Sequence, residues 1–329
     1  MPKIRRILIA VGALGTKSPP TVVKAAQIAR ACGAQVELYH SLDSPVYADL
    51  RGLHDFSVAD LERELKLRAV HRLEGIADRL RQQSLRVNVC AEWDYPAYEA
   101  IVRRALSIKA DLIVASGQAA RHRFASLMRL TDWELVRLSP VPVLLVKSPH
   151  PYDHPGVLAA VDPSHAFAKP LQLDKRILEA GNLLSRALQG SLHAVHAYAR
   201  VITLPATPIT PAVINALERH AQRAAKAGFD RVLRPTRIPR ARRYLIARDP
   251  INGILEGVRQ SRCAIVVMGA ISRTGFKRLL VGNTAEKMLD DLHCDVLVVK
   301  SPKFHSRVPR ASRGASLLLS ASTNSLGYY

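Results

Sequence analysis

The chain has 329 residues, 48% of them apolar and 5% aromatic, which is material for two cores better than one. It contains no run of about 18 uncharged apolar residues, so no segment is expected to span a membrane. Four scattered cysteines (Cys32, Cys90, Cys263, Cys294) show no CxxC spacing; they exclude a zinc finger and suit buried thiols in a reducing cytoplasm.

Lys3, Arg5 and Arg6 precede an apolar run in the outline of a signal peptide, but the run is short and its pattern recurs at Gly156–Asp162. Ile4–Val11 therefore reads as a first strand, ending at Gly12. Ser18-Pro19-Pro20 opens a helix. Val22, Val23, Ala26 and Ala29 keep helical spacing, and Gly33 stands where a C-terminal glycine belongs. Val36–His40 is a second strand. Val58 to Gln82 forms a helix with one apolar stripe: Leu61, Leu65, Ala69, Leu73, Ile76 and Leu80. Leu85–Ala91 is a third strand. Pro96 opens a helix, Asp111–Ser116 is a fourth strand, and Val141–Lys147 a fifth. Between the last two lies a short helix, Thr131–Leu138, with Thr131-x-x-Glu134 as its capping box. Strands alternating with helices predict a parallel, doubly wound sheet.

Ser148-Pro149-His150-Pro151 and His154-Pro155-Gly156 read as a linker. The pattern then restarts with strand Val157–Val161, helix Asp174–Gln189 closed by Gly190, and strand Leu192–Ala197. A helix from Pro211 to about Phe229, strand Tyr244–Ala247 and helix Ile251–Gln260 follow. Strand Ala264–Met268, a loop with Gly269, Gly275 and Gly282, a helix from Asn283 to Cys294, and strand Asp295–Lys300 complete it. Strand, glycine loop and helix N-terminus in that order can hold a phosphate. Val143–Pro149 matches Val296–Pro302, and Ala110–Gly117 matches Arg262–Gly269, so the chain holds two copies of one domain, 1–149 and 156–302. Residues 303–329, Ser-rich with four basic and no acidic residues, are expected to be a disordered basic tail.

The net charge of +21 is uneven: Arg219 to Arg248 holds ten Lys or Arg and one acidic residue, Asp230. That segment permits contact with nucleic acid or an anionic surface; the plainer reading is a solvated arginine-rich face. His193 and His196 lie on one strand and are read as a same-side pair that lacks a third metal ligand. Trp93-Asp94-Tyr95-Pro96, at the end of a strand, is either the wall of a pocket or a packed turn. Neither a G-x-S-x-G elbow nor a G-x-x-x-x-G-K-[ST] loop occurs, so no catalyst is expected.

Three stretches carry a family resemblance: Val161-Asp162-Pro163-Ser164, Gly269 through Glu286, and Leu130-Thr-Asp-Trp-Glu-Leu-Val-Arg137. Over about residues 1–302 the chain resembles the universal stress protein superfamily, in its tandem two-domain E type. The resemblance implies two adenine nucleotide alpha hydrolase-like domains, each an α/β fold around a five-stranded parallel sheet with a nucleotide site at its carboxyl edge. Nucleotide-binding members carry a glycine, two residues, a glycine, nine residues, then a glycine followed by Ser, Thr or Asn. Gly269 and Gly282 match the outer pair and Asn283 the last position, with Met268 and Thr284 beside them. Arg273 and Gly275 also fit, but Ser272 replaces the middle glycine, and serine resists the left-handed backbone open to glycine. Asp162 stands where binding members contact the nucleoside, and Val195 where a backbone contact to the base is usual.

In the first repeat Gly12 replaces Asp162, and Gly117–Thr131 keeps only its leading glycine, with Arg121, His122 and Arg123 as its charges. That half is expected not to bind ATP in the family manner. The resemblance thus implies a cytoplasmic bacterial stress protein, regulatory or protective, which binds ATP, with or without Mg²⁺, in its second domain. Slow hydrolysis fits the same reading. The two domains are expected to pair within the chain, and a further homo-oligomer fits too. The alternatives are a nucleotide-independent scaffold, or a nucleic-acid or anionic-surface binder through 219–248.

Overall fold

The computed structural model describes residues 3–12, 14, 18–42, 58–117, 125–163, 172–199, 210–269 and 291–312, with side chains throughout except at 58, 61 and 125–131. Two units emerge. The first comprises 2–151 together with 305–329, and the second 152–304.

The first unit has strands β1 (Arg6–Ala10), β2 (Gln35–Ser41), β3 (Val87–Glu92), β4 (Leu112–Ser116) and β5 (Val143–Val146). Their order is β3-β2-β1-β4-β5, every pair parallel. The connecting helices are α1 (Pro20–Cys32), α2 (Val58–Arg81), α3 (Ala97–Ser107) and α4 (Ala125–Leu138). Helix α1 ends as its sequence demands: Gly33 takes φ 64° and its N–H reaches the carbonyls of Ala29 and Arg30. Helix α4 differs from expectation. It already begins at Ala125, because Ala125-Ser-Leu-Met-Arg-Leu130 holds good helix formers. Thr131 therefore falls in the second turn and cannot cap, and Glu134 pairs with Arg137 at 3.1 Å.

The second unit repeats the plan with β6 (Gly156–Ala160), α5 (Leu173–Ala187), β7 (Ser191–Tyr198), α6 (Pro211–Leu233), β8 (Arg243–Ala247), α7 (Pro250–Ser261), β9 (Ile265–Gly269) and β10 (Asp295–Val299). Its order is β8-β7-β6-β9-β10, again all parallel. Strands β6 and β9 are apolar without interruption and buried, as strands covered on both faces must be. Glycines show which helix covers which face. A Cβ on Gly181 of α5 would meet Val157, Ala159 and Leu192, whereas one on Gly257 of α7 would meet Leu158 and Val195. Alternate strand residues point to opposite faces, so α5 and α7 lie on opposite sides. Helix α7 sits closest: a Cβ on Gly253 would stand 2.3 Å from the Ala197 Cβ.

Two features were not foreseen. Tyr152, in the linker, is buried, and its hydroxyl donates to Asp295 Oδ2 at 2.6 Å, tying the second unit's first residue to β10. The tail is not disordered from its start. Lys300 Nζ sits 4.5 Å over the Phe304 ring, and residues 305–312 belong to the first unit. Ser306 donates to the Leu138 carbonyl at 2.9 Å, Arg103 to the Pro309 carbonyl at 3.2 Å, and Ser312 to Asp94 Oδ1 at 2.9 Å. Carbonyls of a helix's last turn lack intrahelical partners, so a serine hydroxyl against the end of α4 satisfies a real need. Residues 313–329 lie outside the described residues.

Candidate functional site

In the second unit the strand order reverses at β6: β7 lies on one side and β9, later in sequence, on the other. Crevices at the carboxyl ends of strands at such a point are where open α/β sheets take ligands. Asp162 follows the end of β6, and Gly269 ends β9. The backbone at Asp162 is fixed from two sides. The Val161 N–H donates to the Val195 carbonyl at 3.0 Å, and the Asp162 N–H donates to Asp174 Oδ1 at 2.9 Å. Asp174 is buried in the first turn of α5, where the helix dipole favours a carboxylate. His196 Nδ1 lies 3.2 Å from the Val161 carbonyl, its ring tilted against Phe229.

Val195, expected as a backbone contact to the base, has that backbone engaged within the sheet. Its carbonyl is committed to Val161, and its side chain is buried beneath Gly257. The register supplies a better candidate. β6 pairs with Ser191–Val195 of β7, but β7 runs on to Tyr198. By strand alternation the N–H and C=O of Ala197 point to the same side as those of Val195, where β6 has already ended. Ala197 therefore presents backbone groups above Asp162. Gly269 has a steric role of its own: a Cβ there would come 2.6 Å from the Leu173 side chain, so its bareness admits the start of α5. Met268 is buried just before it. Ser272, Arg273, Gly275, Gly282, Asn283 and Thr284 lie outside the described residues, as does the helix expected from Asn283.

The first unit repeats the same end of the sheet with different chemistry. The Val11 N–H donates to the Tyr39 carbonyl at 2.8 Å, and His40 Nδ1 lies 2.7 Å from the Val11 carbonyl. Val11, Tyr39 and His40 thus stand where Val161, Val195 and His196 do, and Gly12 stands at the place of Asp162. Setting Glu37-Leu-Tyr-His40 against His193-Ala-Val-His196 would have revealed this shared histidine. Nearby, Asp94 is held by Arg103 through two 2.7 Å bonds, and the same guanidinium reaches Glu99 at 3.0 Å. Arg104 pairs with Glu37 at 2.6 Å and Glu92 at 3.2 Å. Trp93-Asp94-Tyr95-Pro96 is therefore a turn with Asp94 at the centre of a buried ion network. Burial first, then the charges of Glu92 and Asp94, push the Tyr39 phenol upward.

His193 and His196 do not share a side; three residues apart on a strand, they point to opposite faces. His193 stacks on Tyr244 and bonds the Ser191 hydroxyl at 3.0 Å, and its pKa is lowered by burial and by Arg242. Among the described residues no group of His, Cys, Asp and Glu could hold a metal ion. The four cysteines are free thiols.

A sequence profile described as the universal stress protein family matches residues 3–147 and 157–300. The chain belongs to that family. Its tandem architecture is that of the E type. It is 27% identical to universal stress protein E of Escherichia coli K12 over 241 residues, covering 68% of this chain and 71% of that protein. It is 26% identical to universal stress protein E of Photorhabdus laumondii over 253 residues, covering 75% and 77%. A solved structure from Pseudomonas aeruginosa PAO1, described as functionally unknown, superposes with a TM-score of 0.65 at 21% identity, over 97% of this chain and 98% of that one. That likeness speaks for the fold alone. Among the described residues no helix is long and apolar enough to cross a membrane.

Proposed function

We propose that the protein is a cytoplasmic stress-response protein that regulates or protects by binding rather than by catalysis, and that its second unit binds an adenine nucleotide, ATP with or without Mg²⁺. The observation carrying this reading is Asp162, fixed by Asp174 at the point where the strand order reverses, beneath the overrunning backbone of Ala197. A carboxylate acceptor and a free backbone edge side by side suit the hydroxyls and ring nitrogens of a nucleoside. By the family pattern the phosphates run toward Gly282, the N-terminus at Asn283 and Arg273, where a helix start offers N–H groups to anions. The first unit lacks the carboxylate at Gly12 and spends its nearby acids on arginines, which supports a site limited to the second unit.

Isothermal titration of the whole protein with MgATP tests this. Saturable heat is expected for the wild type, at least ~10-fold weaker binding for Asp162→Ala, a loss of about 1.4 kcal/mol, and no binding for Gly282→Val. Absence of heat from the wild type refutes the nucleotide reading and leaves a nucleotide-independent scaffold.

A further inference from the structure

The second unit carries a cationic ridge along its outer strand, and we infer that this ridge binds nucleic acid through the phosphodiester backbone, without regard to sequence. The ten Lys or Arg between Arg219 and Arg248 lie on α6, on the turn at 234–242, at the start of β8 (Arg243) and just past its end (Arg248), β8 being the last strand on that side of the unit. All but Arg243 are exposed. Asp230, the one acid in that span, is taken by Lys226 at 2.9 Å and lies 3.6 Å from Arg243, which also donates to the Ile238 carbonyl. The other eight guanidinium groups make no hydrogen bond or ion pair among the described residues.

An arginine-rich composition could produce such a face without purpose, but the repeat supplies its own control. Helix α2 occupies in the first unit the place of α6, and five acids accompany its six cations, three of which are paired: Lys66 with Glu62, Arg68 with Glu64, and Arg81 with Glu74 and Asp78. From the end of α2 to Pro96 the chain has a single cation, Arg86, against Glu92 and Asp94. Arginine is plentiful in both copies, so a general taste for it does not account for the scarcity of acids beside it in the second. Protection of an edge strand would have acted on β3 as well, since β3 ends its unit's sheet as β8 does.

The apolar residues decide between polyanions. Within the ridge Phe229, Leu233, Ile238 and Ile246 are buried and Val232, Tyr244 and Leu245 half-buried, so no large apolar side chain stands exposed among the cations. The exposed apolar residues of α6, Val213 at 48% and Leu217 at 45%, precede it. A lipid interface requires apolar side chains among the cations; a phosphate backbone needs only the charges and the counterions they release.

Fluorescence anisotropy with a labelled duplex and with single-stranded RNA, between about 50 and 200 mM salt, tests the ridge on the full chain. Two variants remove the same charge: Arg234→Ser/Arg237→Ser/Arg240→Ser on the ridge, and Arg63→Ser/Arg68→Ser/Arg72→Ser on α2. The ridge variant is expected to lose at least ~10-fold in affinity at the lower salt and to flatten the slope of log K against log salt by about 2 to 3. The α2 variant is expected to stay within about 2-fold of wild type. Equal weakening of both variants overturns the inference, since general charge alone is then at work. So does failure of the wild type to bind either nucleic acid, or co-sedimentation with phosphatidylserine vesicles in their place.

Discussion

Replacing Gly253 by alanine sets two effects of opposite sign against each other. Gly253 lies inside α7, where helix propensity alone favours alanine by about 1 kcal/mol. Its Cβ, however, would stand 2.3 Å from the Ala197 Cβ, more than 1 Å short of the ~3.5 Å at which carbons normally touch. The Ala197 Cβ is fixed to the backbone of β7 and cannot rotate away, so α7 must lift. One turn on, Gly257 is already within 2.9 Å of Val195 by the same measure, so no slack exists along the contact. Overpacking of this kind costs about 1–3 kcal/mol. The net expectation for Gly253→Ala is a loss of up to about 2 kcal/mol, with faster amide exchange across 250–261. Gly75 is the control. It is interior to α2 with nothing within 4 Å of its Cβ position, so Gly75→Ala should stabilise by about 0.5–1 kcal/mol. Urea denaturation of both variants decides it: a Gly253→Ala protein stabilised as much as Gly75→Ala refutes the close-packing argument.

Tyr152→Phe deletes the hydroxyl on the buried carboxylate of Asp295 and should cost about 1.5–3 kcal/mol in urea unfolding. Arg103→Met removes the cation between Asp94 and Glu99 and should cost about 3–5 kcal/mol, with faster exchange at 305–312. His193 has a folded pKa below its ordinary 6.5, so the unfolded chain takes up its proton first as pH falls. Its contribution is complete above 6.5 and lost as pH drops from there through the folded value, and His193→Gln should remove that part of the stability-pH curve. Burial pushes the Cys263 thiol up to about 11 and the Cys90 thiol up to about 12, so iodoacetamide at neutral pH should modify both far more slowly in the folded protein than in urea.

Local patterns carried much of the fold. Short β-branched runs, the proline and glycine at the ends of α1, and the matched halves located most elements to within a residue or two. The misses have particular causes. Thr131-x-x-Glu134 had the form of a cap, but the helix formers ahead of it extended α4 past it. His193 and His196 were assigned to one side although strand alternation separates residues three apart. The Tyr152–Asp295 bond and the contacts of 305–312 join residues distant in sequence, so no local pattern announces them. At the site, Asp162 was legible from its place after a strand. That Ala197 rather than Val195 offers its backbone depends on how far β7 overruns β6, a quantity fixed by pairing and not by either strand alone.

The two repeats solve one packing problem by different physics, and the difference bears on what each can bind. Tyr39 pairs with Cys90 as Val195 pairs with Tyr244. Counting on from those pairs sets Glu99 and Arg103 of α3 opposite Gly253 and Gly257 of α7. In the second unit the helix is seated on the sheet by shape, glycine against Val195 and Ala197. In the first unit the same two positions hold buried ions joined to Asp94, and Ser312 adds a bond to that carboxylate. A network of this kind is costly to break one member at a time, so the first unit's charged groups near the strand ends are committed to one another. The second unit sets Asp162 beside the overrunning end of β7, and the arginines of its α6 and of the turn at 234–242 make no ion pair among the described residues. The proposed nucleotide site and the proposed arginine ridge thus both fall in the copy whose α7 is seated by close glycine contact.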